Sequence, residues 1–502
     1  MLLKELLKEQ KIIYGSGNYE TDIRGLAYDS RQVKPGFVFV AIEGFKTDGH
    51  KFIPQAVANG AAALVGQKKM FYPAGTIWVQ VPDTRLALAQ MSARFYNYPA
   101  QKLRLIGVTG TNGKTTTTNL IAAIYRDLGK QVGLIGTIAH CIGSRIITGQ
   151  HTTPESLDLQ QLLAEMVSEK INATVMEVSS HALALKRVEE CFFDIGVFTN
   201  LTQDHLDFHQ CMDNYLTAKQ RLFEMLGKGN KKESRFAVVN YDDRYAKQII
   251  KVTRVPVITY GINRPAQVQA KEIQVSPAGT SFVVTSPWGE SLVKLKLTGL
   301  FNVYNALAAL AVGGGEGFPL SLIVLALEKI SGVRGRFETI NQGQDFTVVI
   351  DYAHTPDGLE NLLKTARQIC ARRLITVFGC GGDRDRTKRA VMGEIAARYS
   401  NLTVITSDNP RTEDPAQIMA AIENGVLKVL KKGDYLIIAD RSQAIRQALA
   451  LVEKNDVVVI AGKGHEDYQI IGTQKYPFDD RQEVIKNLKA MGFKQKNENN
   501  DH

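Results

Sequence analysis

The chain is expected to fold as an α/β protein of three domains: a small N-terminal domain, a central domain whose parallel sheet carries a phosphate loop and is wound by helices, and a Rossmann-like C-terminal domain. Three observations predict this. The 502 residues amount to about three domains at roughly 150 residues each. Hydrophobic residues at 44% and charged residues at 22%, with 15 Pro and 42 Gly, are globular values that argue against disorder, collagen and coiled coil. Short apolar runs alternate with helical stretches along most of the chain, as β-α-β winding requires.

The elements follow in order. Lys4, Glu5, Lys8 and Glu9 interrupt the leucines of the first ten residues, which predicts a short amphipathic helix rather than the apolar core of a signal peptide. Apolar runs at 38–42, 61–65 and 76–81 predict the strands of a first small α/β unit, ending near Tyr98-Pro99. From Leu103 the pattern is strand, Gly-rich turn, a helix over 114–128 and a strand over 132–135, then strands over 173–178 and 195–199. That spacing predicts a parallel sheet with crossover helices. Residues 297–315 carry no charge and are long enough to span a membrane. Thr298, Asn302, Tyr304, Asn305 and the Gly313-Gly314-Gly315 run make a buried helix the better reading. A Gly- and Pro-rich stretch at 313–319 and a further helix lead to Gly332-Val333-Arg334-Gly335, expected to be a hinge. A third α/β unit is predicted from strands at 346–350, 374–378, 402–406, 435–439 and 457–461, and the polar tail 494–502 is expected to fray. The domain limits are therefore placed at 1–98, 99–331 and 332–502.

Lys+Arg 61 against Asp+Glu 51 gives a net charge of +10, which suits polyanionic partners: nucleic acid, anionic lipid or phosphorylated small molecules. Basic blocks longer than three residues are absent, as are RNA-motif, zinc-finger and basic-zipper patterns, so nucleic acid is disfavoured and phosphorylated small molecules are favoured. Five cysteines (141, 191, 211, 370 and 380), odd in number and without a Cys-x-x-Cys pair, predict buried free thiols in a reducing compartment. A cytoplasmic protein without membrane association is expected.

The strongest local signal is Gly107-Val108-Thr109-Gly110-Thr111-Asn112-Gly113-Lys114-Thr115-Thr116 between an apolar strand and a helix. Glycines let backbone N–H groups turn toward phosphate oxygens, and the helix N-terminus adds positive dipole. Lys114 can neutralise β/γ charge and Thr115 can hold Mg²⁺. Strict Walker spacing would put glycine at Val108, so the loop is a variant. A nucleoside triphosphate is the expected ligand.

Thr109 to Thr116 is one of many motifs in a fixed order. The others are Asp29-Ser30-Arg31 with Gly49-His50, Thr152-Thr153-Pro154, Glu177-Val178-Ser179-Ser180-His181 and Asn200 to Asp207. Then come Tyr215 to Lys219, Gly299 to Asn305, Gly335-Arg336-Phe337-Glu338 and Asp351 to Pro356. Together they span nearly the whole chain, which resembles the Mur ligase family of ATP-dependent amide-bond-forming enzymes. The resemblance implies phosphorylation of a substrate carboxylate by ATP and attack of an amine on the acyl phosphate, in peptidoglycan precursor synthesis. Two anions must meet first, which calls for cationic charge around the γ-phosphate.

By resemblance, Lys114, His205 and Lys219 are catalytic, and Thr115, Glu177, His205 and Lys219 hold Mg²⁺, expected as two ions. Glu177 and His205 follow apolar strands, where α/β sheets place ligands. The lysine matching Lys219 is carbamylated in the family, and a carbamate is an anion that can orient metal. A solvated helix lysine is its ordinary reading. ATP is implied at Gly110, Thr111, Asn112, Gly113, Lys114, Thr115 and Thr116, with Asn305 for adenine and Arg336 and Asp351 approaching from the third domain. Closure of that domain would keep water from the acyl phosphate. The substrate implied is UDP-N-acetylmuramoyl-L-alanyl-D-glutamate, at Ser30, Thr152, Thr153, Ser179 and Arg187. His151 stands where the family commonly has Asn, Leu185 where a Gln can occur, and Gln210-Cys211 in place of a small pair.

The acceptor implied is meso-diaminopimelate, at Arg384, Asp408, Asn409, Pro410, Arg411, Gly462 and Glu466. Its distal carboxylate suits the planar fork of Arg411, and its ammonium suits Glu466. Lysine lacks that carboxylate. The Asn-Pro pair is also a turn signal in its own right, though turn chemistry does not require the arginine. A lysine-adding or folylpolyglutamate-type ligase, or a P-loop NTPase that forms no bond, are the alternatives. Work as a monomer on small molecules is expected.

Overall fold

A computed structural model describes residues 1–44, 47–69, 76–147, 149, 151–229 and 234–494. From residue 495 the tail expected to fray lies outside the described residues. The architecture is α/β, and the described residues form two compact units. One comprises Met1–Gly110, Ile124–Asn200 and Asp213–Thr259; the other comprises Thr111–Ala123, Leu201–Met212 and the chain from Tyr260 onward.

In the first unit, a five-stranded sheet runs in the order Tyr14–Ser16, Ile77–Gln80, Ala63–Gly66, Phe37–Val40, Gly25–Ala27, parallel except at its first pair. Its Val38, Val40, Val65 and Val79 pack with Leu88 and Met91 of the helix Thr84–Phe95. Asp83 caps that helix by accepting from the N–H groups of Arg85 and Leu86. The amphipathic start forms only the single turn Leu3–Leu6, with both leucines buried. The unit's second sheet orders Phe236–Asn240, Ile195–Phe198, Arg104–Thr109, Ala173–Glu177 and Val132–Ile135, all parallel. Burial on both faces explains why these strands read as continuous apolar runs. An antiparallel hairpin, His140–Ile142 and Arg145–Ile147, extends one edge, which the all-parallel reading lacked.

The second unit holds an antiparallel meander, Val268–Ser276, Gly279–Ser286 and Gly289–Leu295, also unforeseen. Beside it the charge-free stretch forms the helix Leu300–Gly315, twelve of whose residues are buried. No helix among the described residues is long and apolar enough to cross a membrane. The glycine run has a packing reason: a Cβ at Gly314 would lie 2.3 Å from the indole of Trp288. The last large sheet orders Glu338–Ile340, Thr347–Asp351, Val457–Ala461, Leu374–Phe378, Leu402–Ile405 and Leu436–Ile437, parallel after an antiparallel first pair. The strand expected at 435–439 is shorter than predicted.

Behind this sheet, Arg441 and Asp480 are wholly buried and paired in a fork, at 2.8 Å through Nε and 2.7 Å through Nη2. Removing one partner leaves the other charge buried without compensation. Asp480→Ala is expected to destabilise this unit by about 3–5 kcal/mol, read as a lower urea midpoint at an unchanged m-value. All five cysteines are free thiols; Cys191 and Cys380 are buried as expected, whereas Cys211 is exposed.

Candidate functional site

The strand Arg104–Thr109 lies between Ala173–Glu177 and Ile195–Phe198, in register at Gly107↔Met176 and Gly107↔Gly196. Its carboxyl end opens into the phosphate loop, and the helix Lys114–Asp127 follows. Gly110 has φ +154, and a Cβ there would stand 1.8 Å from Thr199 Oγ1, so no larger residue fits the turn. Lys114 Nζ donates to Thr111 O at 2.8 Å, folded back over the loop. Around these residues, Arg336 Nη2 donates to Thr115 Oγ1 at 3.1 Å, and Thr117 Oγ1 donates to Asn305 Oδ1 at 3.2 Å. Arg336 also lies over the Tyr352 ring, 4.8 Å from its centroid. Asp351, at a strand end, accepts from the N–H groups of Phe337 and Ala353, each at 2.7 Å. Two of the residues expected to meet ATP from a distance in sequence, Asn305 and Arg336, are thus held at the loop's helix, and Asp351 is bonded to the residue that follows Arg336. Asp357 joins them without having been foreseen: it accepts from Asn112 Nδ2 and Thr202 Oγ1, both at 2.9 Å.

Lys219 contradicts the picture of a solvated helix lysine. It is 1% exposed, its Nζ donates to Gly110 O at 2.8 Å, and it lies 4.6 Å from the centroid of the Tyr215 ring. His205 has φ +54 and a half-exposed ring, with its N–H on Asp204 Oδ1 at 2.8 Å. Glu177 is buried, its carboxylate accepting from Thr137 N at 2.8 Å and Thr137 Oγ1 at 3.1 Å. Among the described residues no three His, Cys, Asp or Glu side chains form a metal cage. Mg²⁺ takes few protein ligands and completes its shell with water and phosphate; the hydroxyl of Thr115 in the second unit and the carboxylate of Glu177 in the first are each an oxygen donor of the kind it accepts.

A second cluster surrounds Thr153, whose Oγ1 donates to Glu177 O at 2.8 Å and accepts from Ser179 N at 3.1 Å. Thr152 Oγ1 is 3.0 Å from Thr137 Oγ1, and Arg187 Nη1 donates to Thr153 O at 3.2 Å. Thr152, Thr153, Ser179 and Arg187 therefore form one polar patch. Ser30 sits apart in the first sheet's layer, its hydroxyl bonded to Gln55 Oε1 at 2.6 Å. His151 stands directly before Thr152. Partial burial, and after it the charge of Arg187, holds its imidazolium below the usual pKa, so a neutral ring stands there at pH 7.

Glu155 is the residue here that sequence reasoning missed. Its carboxylate lies 3.1 Å from Arg85 Nη1 and 3.2 Å from Arg187 Nε, linking both guanidiniums at 7% residue exposure. Lys186–Asp83 and Tyr28–Asp158 are further links nearby. Its signal was an acidic residue directly after Thr152-Thr153-Pro154, legible only once Arg85 and Arg187 are known to converge. Glu155→Gln is expected to raise the KM for the ligand of this patch about tenfold with the KM for ATP unchanged, as steady-state kinetics with each substrate varied would read.

The third cluster lies at the carboxyl ends of neighbouring parallel strands, where open α/β sheets bind ligands. Arg384 follows Leu374–Phe378, Asp408 to Arg411 follow Leu402–Ile405, and Gly462 to Glu466 follow Val457–Ala461. Arg411 adopts φ +53 and donates from Nη1 to Gly382 O at 2.7 Å. Burial, and next the nearby Arg384 guanidinium, lowers the Arg411 pKa, while Asp408 and Glu466 oppose that shift. Two guanidiniums and two carboxylates thus lie within electrostatic reach of one another. Gly462 N donates to Asp351 O at 3.0 Å. Asn409 Nδ2 donates to Glu466 Oε2 at 2.9 Å, and Asn409 Oδ1 accepts from Ile470 N at 2.9 Å. Pro410 serves the turn, its carbonyl accepting from Glu413 N at 3.1 Å.

Comparison with known proteins places the whole chain. Residues 22–96 match the description "Mur ligase family, catalytic domain", residues 108–313 "Mur ligase middle domain", and residues 335–464 "Mur ligase, glutamate ligase domain". The chain is 50% identical over 483 residues to the UDP-N-acetylmuramoyl-L-alanyl-D-glutamate--2,6-diaminopimelate ligase of Alkaliphilus metalliredigens, covering 96% of each protein. It is 48% identical over 490 residues to the ligase of the same name from Syntrophomonas wolfei, covering 98% of this chain and 99% of that one. A solved structure of a ligase of that name superposes with a TM-score of 0.69 at 34% identity, covering 98% of this chain and 99% of the other.

Proposed function

We propose, from the premise that this chain belongs to the Mur ligase family, that it adds meso-diaminopimelate to UDP-N-acetylmuramoyl-L-alanyl-D-glutamate. It is an ATP-dependent amide-bond-forming ligase of peptidoglycan precursor synthesis. One observation carries the choice of acceptor: Arg411 Nη1 and Arg384 Cγ lie 2.9 and 3.8 Å from where a Cβ on Gly381 would stand, and Asp408 and Glu466 follow the neighbouring strands. Diaminopimelate ends in an ammonium and a carboxylate on one carbon, so it satisfies both signs of charge. The lysine side chain ends in an ammonium alone and leaves the two guanidiniums facing a cation.

The reaction sets the tasks. The γ-phosphoryl of ATP passes to an oxygen of the substrate's terminal carboxylate, giving an acyl phosphate and ADP. The amino group of diaminopimelate then attacks the acyl carbon, the C–O bond breaks, phosphate leaves and the amine loses a proton. Lys114 and the N–H groups of Gly110 to Thr116 bind the phosphates and offset their charge. Asn305 is assigned to the adenine, and Arg336 and Asp351 to the remaining nucleotide contacts. Thr152, Thr153, Ser179 and Arg187 orient the muramoyl peptide, and Ser30 meets the uridine end. Thr115, Glu177, His205 and Lys219 are the residues that would hold Mg²⁺, whose charge would draw together the anions of ATP and the carboxylate.

Carbamylation of Lys219 rests on the family resemblance, and its burial beside Gly110 O sets it apart from a solvated surface lysine. Protein equilibrated with ¹³C-bicarbonate should show a carbamate resonance that is lost in Lys219→Met; its absence from the wild type would refute the modification. The substrates are water-soluble nucleotides and an amino acid, which supports work in the cytoplasm without nucleic acid or membrane; the chain is proposed to act as a monomer. Sedimentation at the mass of one chain would check the monomer.

The function is tested by phosphate release and product mass with ATP, Mg²⁺ and UDP-N-acetylmuramoyl-L-alanyl-D-glutamate. Meso-diaminopimelate is offered in one tube and L-lysine in another. Turnover with diaminopimelate alone is expected; turnover with lysine would overturn the acceptor assignment, and silence in both tubes the whole reading.

A further inference from the structure

Beneath the acceptor pocket lies a lysine that none of the assignments above uses. Lys463 is among the largest wholly buried side chains of the protein, at 0% exposure. Its Nζ donates to Asn409 Oδ1 at 3.1 Å and to Glu466 Oε2 at 3.2 Å. Both acceptors belong to the acceptor cluster, and they are also bonded to each other, Asn409 Nδ2 to the same Glu466 Oε2. The three side chains close a triangle around that one oxygen.

Two consequences follow from this arrangement. The amide of Asn409 cannot flip, because Oδ1 receives hydrogen bonds from both Lys463 and Ile470 N while Nδ2 faces the carboxylate. Glu466 is held by its Oε2 at 16% side-chain exposure, so Oε1 is the oxygen it presents. Charge matters as well. Arg384, Arg411 and Lys463 carry three positive charges, and Asp408, Glu466 and Asp383 carry three negative ones, so the charges of the cluster balance only while Lys463 is present. A ligand end bearing a carboxylate beside its ammonium keeps that balance, whereas a bare ammonium competes with Lys463 for Glu466 and adds a fourth cation.

We propose that Lys463 is a positioning residue that sets acceptor selectivity: it aims Glu466 and Asn409 and supplies the positive charge that disfavours an acceptor ending in an ammonium alone. The proposal rests on the assignment of this pocket to diaminopimelate. It acts through Glu466 and Asn409 rather than by touching the ligand.

The test compares wild type with K463M, which keeps most of the side-chain volume and removes the charge. Steady-state kinetics are measured with meso-diaminopimelate and with L-lysine, each varied at saturating ATP and uridine substrate. K463M is expected to raise the KM for diaminopimelate about tenfold. It should lower the diaminopimelate-to-lysine ratio of kcat/KM by at least that factor, with kcat and the KM for ATP little changed. A wild-type ratio overturns the proposal, and so does a common fall in kcat with every KM, which marks a purely structural role. If K463M does not fold, K463Q, which keeps a donor while losing the charge, must shift the ratio in the same direction. Loss of the fold in both variants overturns the proposal in favour of a structural lysine. Wild-type silence with diaminopimelate would instead overturn the reading of the pocket, and this inference with it; wild-type turnover with an unshifted variant overturns Lys463 alone.

Discussion

Lys114→Met is expected to lower kcat by at least about a thousandfold, because preorganised charge on a transferring phosphoryl group is among the largest single contributions to catalysis. The γ-phosphate and the attacking carboxylate are both anions, and the helix that follows the loop contributes only a partial charge. Lys114 begins that helix, and its Nζ reaches the carbonyl of Thr111 within the loop, so the ammonium is held beside the turn proposed to cradle the phosphates. The KM values for the uridine substrate and diaminopimelate should stay within a few-fold of wild type, since neither cluster involves this side chain. Single-turnover phosphoryl transfer and steady-state kinetics together check it. A variant retaining more than about a tenth of wild-type kcat would remove Lys114 from the chemistry.

Arg411→Ala is the second large effect: the KM for diaminopimelate should rise about a hundredfold while ATP binding persists, as loss of a charge-assisted fork predicts. Discrimination against lysine should fall with it, because the carboxylate loses its partner and the lysine ammonium loses a repulsive neighbour. The backbone needs a control. Arg411 sits at φ +53, where a residue with a Cβ carries a cost of about 1–2 kcal/mol. The same strain exists in the wild type, so Ala and Arg are matched in it. Arg411→Gly, which relieves it, should show the same loss of selectivity with higher thermal stability. Unchanged KM and selectivity in Arg411→Ala would refute the role assigned to this arginine.

Much of the fold was legible because the parallel strands are buried on both faces and read as uninterrupted apolar runs. Val132–Ile135, Leu374–Phe378 and Val457–Ala461 begin and end where the runs do. The antiparallel meander from Val268 to Leu295 escaped the same reading. Its strands alternate burial with exposure, as in Gly289–Leu295, where only Val293 and Leu295 are buried, and no continuous run marks them. Tyr435 is buried at the edge of the expected strand 435–439, yet only Leu436–Ile437 pairs. An edge strand ends where its single neighbour does, and that limit is not written locally.

Of the candidate site, the sequence alone determined the phosphate loop, since glycines, a lysine and a threonine at a strand–helix junction act through local backbone geometry. It also determined which residues stand at strand ends, because those ends are where apolar runs stop. Only the tertiary structure decided which strand ends are neighbours. Val457–Ala461 lies between Thr347–Asp351 and Leu374–Phe378, and this order brings the loops that carry Glu466, Arg384 and Arg411 to one end of the sheet from positions far apart in the chain. Burial of Lys219, Lys463 and Glu155 was decided at the same level. A charged side chain is soluble by its own chemistry, and only the partners that long-range packing brings to it can hold it away from water.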